Sequence, residues 1–190
     1  KSKKKIIYER HCMISYKLFA KQGDLLTAKA DFAVNPSNTA MLLGSGVSMA
    51  FKRSCGVILE KYMQDALKNR GVINQGNVIK TASNYKNFSY VLHAAVMNYT
   101  EKNKPKVPTI QTIKEILQNL HQILLLEQED NLTLALPLIG CGIGGLEKSE
   151  VVLEYKNFFL CQKNADKKCD VMVYGYNQSD FELIEKNLKG

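Results

Sequence analysis

Two stretches hold residue types that can do chemistry. Gly140-Cys141-Gly142-Ile143-Gly144-Gly145 has four glycines in six residues. Glycine takes positive φ and lets a ligand approach the backbone closely. Between an apolar run and a helix pattern, such a segment reads as a cradle for a diphosphate. It is not a Walker A loop, because no Lys-Ser/Thr follows, nor a Rossmann fingerprint, because no acidic residue closes a following βαβ unit. The other stretch is Ala33–Gly46, AVNPSNTAMLLGSG. Its apolar run is expected to stop at Asn35, since Pro36 fixes its own φ and pushes Asn35 towards an extended conformation. Ser37, Asn38 and Thr39 are turn and capping types. Gly44-Ser45-Gly46 then opens a helix pattern, which leaves backbone N–H groups free at a loop mouth suited to an anion. Each stretch taken alone also fits an ordinary strand-to-helix turn.

The elements that must position these loops follow from hydrophobic period. Ile14–Lys21 alternates apolar and polar, the period of a half-buried strand, and Gly23-Asp24 breaks it. Asp31–Val34, Gly76–Ser83, Tyr90–Met97, Leu132–Leu138 and Cys169–Tyr174 read as further strands. Helices are expected over Val47–Cys55, Val57–Asn69, Pro108–Glu129, Lys148–Lys163 and Ser179–Leu188, the last with Ser179 as N-cap and Glu182 completing a capping box. Asn98–Val107 is polar and lysine-rich, hence a loop. Strands alternating with helices predict an α/β fold: a three-layer α/β/α sandwich with a mixed, mainly parallel central sheet. Ligands of such folds bind on the strand-to-helix loops at the carboxyl ends of central strands. Both glycine-rich stretches are expected there.

The 190 residues fit one domain, with 1–13 as a basic lead-in and 14–190 as the folded unit. The absence of an initial methionine suggests a trimmed chain or a piece of a longer protein. Hydrophobic content of 45% and charged content of 23% are those of a soluble globular domain. No apolar run is long enough to span a bilayer, and Lys1–Lys5 leads only into Ile6-Ile7-Tyr8 before charge returns, so neither a membrane partner nor a signal peptide is expected. Cys12, Cys55, Cys141, Cys161 and Cys169 are odd in number and lack CxxC spacing, and the three histidines are far apart. Reduced thiols in a cytoplasmic protein, with no metal and no cofactor, are therefore expected. The net charge of +8 favours anionic partners, but much of it sits in Lys1–Lys5 and in Lys102, Lys104 and Lys106. Those lysines are either solvated or a weak contact for nucleic acid. Cys141, between glycines near a helix start, is a candidate nucleophile if its pKa is depressed. His93 reads as a core histidine, His121 as peripheral, and Asp65, Glu60 and Glu129 as solvated helix faces.

Together the motifs resemble those of macrodomains, in the same order, over roughly Ile14–Leu188. They are Gly23-Asp24-Leu25-Leu26-Thr27, Val34-Asn35-Pro36-Ser37-Asn38, Leu43-Gly44-Ser45-Gly46-Val47, Leu92-His93-Ala94-Ala95-Val96, Pro137 and Gly140–Leu146. The resemblance implies an ADP-ribose-binding α/β/α domain whose ligand is free ADP-ribose or an ADP-ribosylated protein. It implies that Asp24 reads adenine, with the Leu25 N–H adding a contact. It implies that Asn38 faces the distal ribose while Asn35 braces the loop, and that Gly44, Ser45, Gly46 and Val47 flank the diphosphate. Gly140, Cys141, Gly142, Ile143, Gly144, Gly145 and Leu146 match the second diphosphate loop, and Tyr176 and Asn177 lie where relatives stack against or edge adenine.

Three departures bear on activity. Many hydrolytic macrodomains carry an aspartate where this chain has Ser48, and serine cannot orient or deprotonate a water as a carboxylate can. Another subgroup uses a strand lysine, and Val91–Ala95 contains none. An aromatic residue often covers the distal ribose where Gly144 stands. The expectation is a binding module. The alternatives are a hydrolase removing ADP-ribose from protein or nucleic acid, with Asn38 orienting the sugar, and a basic nucleic-acid-binding domain.

Overall fold

The computed structural model describes residues 14–44, 46–100, 104–160 and 165–189; the basic lead-in, Ser45, Lys102, Cys12 and Cys161 lie outside them. Six strands form one sheet: β1 (Ile14–Gln22), β2 (Ala30–Asn38), β3 (Val78–Tyr85), β4 (Phe88–Met97), β5 (Asn131–Pro137) and β6 (Lys167–Gly175). Their order is β1-β6-β5-β2-β4-β3. Every neighbouring pair is parallel except the β3–β4 hairpin. Among the described residues five α-helices cover the sheet: α1 (Gly46–Cys55), α2 (Val57–Arg70), α3 (Ile110–Leu125), α4 (Lys148–Leu160) and α5 (Gln178–Lys189). The three-layer sandwich with a mixed, mainly parallel sheet is thus as expected from sequence.

Alternation along β2 divides the core. Phe32 and Val34 pack with Ile113, Ile116 and Leu117 of α3 and with Tyr155 and Phe159 of α4. Ala33 faces the opposite side, with Phe51 of α1 and Leu59 and Met63 of α2. Strands covered on both faces need apolar residues at consecutive positions, as in Phe32-Ala33-Val34 and Leu134-Ala135-Leu136.

Most element ends shift by one or two residues from the sequence reading, and three differences have a clear physical cause. First, β2 continues through Asn35, Pro36 and Ser37 to Asn38, pairing with β4 up to Asn38 and Met97 after a register shift. It pairs with β5 only at Phe32 and Ala33. Beyond Ala33, β2 is an edge strand on its β5 side, the setting that tolerates a proline. Second, α3 begins after Thr109 rather than at Pro108. The Thr109 side chain accepts from Thr112 N and the Thr112 side chain accepts from Thr109 N, which closes a capping box. This helix ends at Leu125, with Leu126 as its C-cap. Third, α5 is capped by Asn177, not Ser179: Asp180 N donates to Asn177 Oδ1 at 2.8 Å. Glu182 takes no part in capping and accepts from Gln178 Nε2 instead. The α4 helix is described as far as Leu160, so its expected extension to Lys163 lies outside the described residues.

Candidate ligand-binding cleft

The parting of β2 from β5 opens a crevice at the carboxyl ends of the central strands, where the sheet order reverses direction. Open α/β sheets place their ligands in such a crevice. Two compartments lie along it, of about 380 Å³ and about 570 Å³. Gly46, Val47, Leu138 and Gly142 wall both, so they are halves of one cleft.

The loop after β5 is held from behind. Tyr155 of α4 is fully buried, donates its hydroxyl to Pro137 O at 2.8 Å and accepts from Ile139 N at 2.9 Å. Leu146 N then donates to Gly140 O and Gly145 N to Gly142 O, each at 3.0 Å, folding the segment back on itself. Gly144 must be glycine: a Cβ there would stand 2.5 Å from Gly140 O and 2.7 Å from Pro108 Cγ. The absence of an aromatic side chain at this position therefore has a packing cause. Among the described residues the amides of Gly142, Ile143 and Gly144 have no acceptor.

The loop after β2 is held from its own start and from α2. Asn38 Oδ1 accepts from Ala40 N at 3.1 Å and Leu42 N at 3.4 Å, while its Nδ2 donates to Leu42 O at 2.9 Å. Gln64 donates to the carbonyls of Ala40 and Met41. Glu60 accepts from Leu43 N and from Lys52 Nζ, and that ammonium holds its carboxyl below the usual range. Glu60 is thus a brace for the loop, not a solvated helix face. Gly46 and Val47 follow as the first turn of α1, whose amides have no helical partners behind them.

Asp24 and Leu25 lie at the far end of the larger compartment, with Tyr176, Tyr174, Arg53 and the Lys148–Asp180 ion pair. Asp24 caps the short turn Leu25–Thr27 through Oδ1, which accepts from Leu26 N at 2.9 Å. Gly23 N donates to Gly175 O, which joins the ends of β1 and β6 beside it. Gly175 has no room for a side chain, since a Cβ would lie 2.5 Å from Phe181 N. The smaller compartment is walled by Ser37, Asn38, Leu42, Ser48, Met97, Tyr99 and Ile143, among others.

Of the residues singled out in the sequence, Asp24, Leu25, Asn38, Gly44, Gly46, Val47, Gly140, Cys141, Gly142, Ile143, Gly144 and Tyr176 line this one cleft. Ser45 lies outside the described residues. Asn35, Gly145, Leu146 and Asn177 do not line it. Asn35 is fully buried and donates to His93 Nδ1 at 3.0 Å. Leu146 packs on the core. Gly145 closes the loop by donating to Gly142 O. Asn177 caps α5. Cys141 is no activated thiol: burial pushes it up to about 11, outweighing the Lys148 ammonium that acts the other way. His93 is a core histidine, pushed down to about 3 by complete burial. His121 is also buried rather than peripheral, with its Nδ1 2.7 Å from Tyr16 Oη. Sequence reasoning did not find Ser37, Arg53, Tyr99 or the Lys148–Asp180 pair. The pair joins residues 32 positions apart, and no sequence period marks it.

Other proteins are similar to this chain in sequence or in fold. A macro domain-containing protein of Vibrio parahaemolyticus is 28% identical over 171 residues, 88% of this chain and 94% of its own. The Oceanobacillus iheyensis macrodomain, solved with ADP, superposes with a TM-score of 0.74 at 20% identity, covering 94% of this chain and 93% of that one. The Trypanosoma brucei macrodomain in complex with ADP-ribose gives a TM-score of 0.68 at 19% identity, with 90% and 68% covered. Residues 34–153 match the family model described as Macro domain. That span exceeds half of the chain and contains both glycine loops, and the chain belongs to the macro domain family.

Proposed function

We propose that this domain binds ADP-ribose, free or as a modification on protein. The observation that carries the reading is the meeting of two loops, one with Gly44, Gly46 and Val47 and the other Gly140–Gly144, across one cleft with a compartment on either side. Bare amides and a helix start suit a diphosphate. The larger compartment then takes the adenosine, with the second oxygen of Asp24 free for the exocyclic amine and Tyr176 at the rim. The smaller compartment takes the terminal ribose. The related macrodomains solved with ADP and with ADP-ribose support the choice of ligand.

Binding is favoured over hydrolysis by the lining of the smaller compartment. Among the described residues it holds no carboxylate, histidine or lysine that would act as a general base on the sugar. Calorimetric titration with ADP-ribose, ADP and AMP tests the reading, and absent heats with all three would overturn it. Asp24→Ala is expected to weaken ADP-ribose binding by about 1–3 kcal/mol, the worth of a hydrogen bond to a charged group.

A further inference from the structure

Parallel strands occur almost only where both faces of their sheet are covered. The β1–β6 pair departs from this. One face, with Ile14, Tyr16, Cys169, Val171 and Val173, is buried against Tyr155 and Phe159 of α4 and Ile184 of α5. The apolar cluster under α1 and α2 lies on the other face of the sheet, but it takes in no residue of β1 and, from β6, only Tyr174. Alternation therefore leaves Lys17, Phe19 and Lys21 of β1 beside Lys168, Asp170 and Met172 of β6 on a face with no apolar cover among the described residues. The register sets Phe19 opposite Met172, Lys17 opposite Asp170 and Lys21 opposite Tyr174.

Phe19 is 41% exposed at the middle of its strand, where it forgoes the burial that a phenylalanine ordinarily gains. Among the described residues the ammonium groups of Lys17, Lys21 and Lys168 form no ion pair. Asp170 is the one carboxylate on this face of the pair, so the face is net positive. Lys17 and Lys21 stand about 13 Å apart along β1 with the ring midway between them. A base stacked on that ring would have a cation on either side for its flanking phosphates. Proteins that bind single strands without sequence preference combine these two features, a positive surface and a ring for the bases. Neither Lys1–Lys5 nor Lys102–Lys106 has an aromatic residue among its lysines, whereas strand alternation supplies one here. An acidic protein would satisfy the lysines and leave the ring without a stacking partner. A nucleic-acid strand satisfies both.

We propose that this open face of β1 and β6 is a docking surface for single-stranded nucleic acid, with a base stacked on Phe19 and phosphates held by Lys17, Lys21 and Lys168. It is separate from the cleft and does not depend on the ADP-ribose reading. The test is fluorescence anisotropy of the full chain with a labelled oligouridylate of about 12 nucleotides, which carries no adenine for the cleft. Wild type, Phe19→Ala and Lys17→Gln/Lys21→Gln are titrated over a series of salt concentrations. The side chains changed are exposed, and thermal melting is expected to be the same for all three proteins. Phe19→Ala is expected to lose about tenfold in affinity through the missing stack. The lysine variant is expected to lose at least about tenfold and to show a log–log salt slope shallower by about 1.4, the share of two phosphate contacts on a single strand. Excess ADP-ribose is expected to leave the oligonucleotide bound. A wild type that binds no oligonucleotide at low salt overturns the inference and leaves an acidic protein as the occupant to seek. Variants that bind as the wild type does overturn it by placing the strand on other lysines. A loss confined to the lysine variant reduces the contact to bare charge and overturns it, as does displacement by ADP-ribose, which would put the strand in the cleft.

Discussion

Asn38 makes three hydrogen bonds within five residues of its own chain, so its amide is a template for the loop as well as part of the cleft wall. The bend it supports puts Met41 at φ 51, a left-handed conformation that a non-glycine residue adopts only when its surroundings impose it. Asn38→Ala is expected to lower stability by about 1–3 kcal/mol and to weaken ADP-ribose binding through the loosened loop. Denaturant unfolding and titration of the same variant check the two effects. At this scale the glycine runs were legible in the sequence because clustered glycines are rare and their physical use is narrow. Glu60 and Ser37 were not. A carboxylate on a helix looks solvated until the loop that donates to it is in place, and Ser37 reads as a turn residue until β2 is seen to run on past Pro36.

Among the elements, β2 is the one on which the cleft depends. Its ladder with β5 lasts only from Phe32 to Ala33. Just before it, Asp31 and Thr133 clasp the two strands. Thr133 N and Oγ1 donate to Asp31 Oδ2 at 2.8 and 2.7 Å, and Asp31 N donates to Thr133 Oγ1 at 2.8 Å. Asp31→Ala removes two of these bonds, and a loss of about 1–3 kcal/mol in unfolding free energy is expected from chemical denaturation. The course of β2 past Val34 was not readable from sequence, because Pro36 argues locally for a stop. Only the absence of β5 alongside makes the proline harmless. The long helix α3 was readable, since Ile113, Ile116, Leu117, Leu120 and Leu124 recur at helical steps and all are buried. Its first residue was not, because Thr109 and Thr112 cap each other through their side chains. The capping of α5 was misread for a similar reason. Ser179 and Glu182 have the right types and spacing, but Asn177 comes first and accepts the amide of Asp180.

The whole molecule carries a pH dependence set by its interior. Burial depresses His93 to about 3 and lowers His121 from its ordinary value. Both imidazoles are therefore neutral in the folded chain at a pH where the unfolded chain begins to bind protons, near 6.5. Their contribution to stability is complete above about pH 6.5 and is lost as the pH falls below it, over a range that for His93 extends towards 3. Each such histidine adds a slope of up to about 1.4 kcal/mol per pH unit. Denaturant midpoints should fall from pH 7 to pH 5, and His93→Gln should flatten that fall.

Within the one sheet, the strands β1-β6-β5 and β2-β4-β3 are joined along one short ladder. A nucleotide filling both compartments would touch Asn38 and Gly46 on one side of that ladder and Leu138 and Gly142 on the other, acting as a cross-brace over its open end. Occupancy should then slow amide exchange at Phe32, Ala33 and Val34, residues that line neither compartment, because the ladder could no longer open without expelling what lies above it.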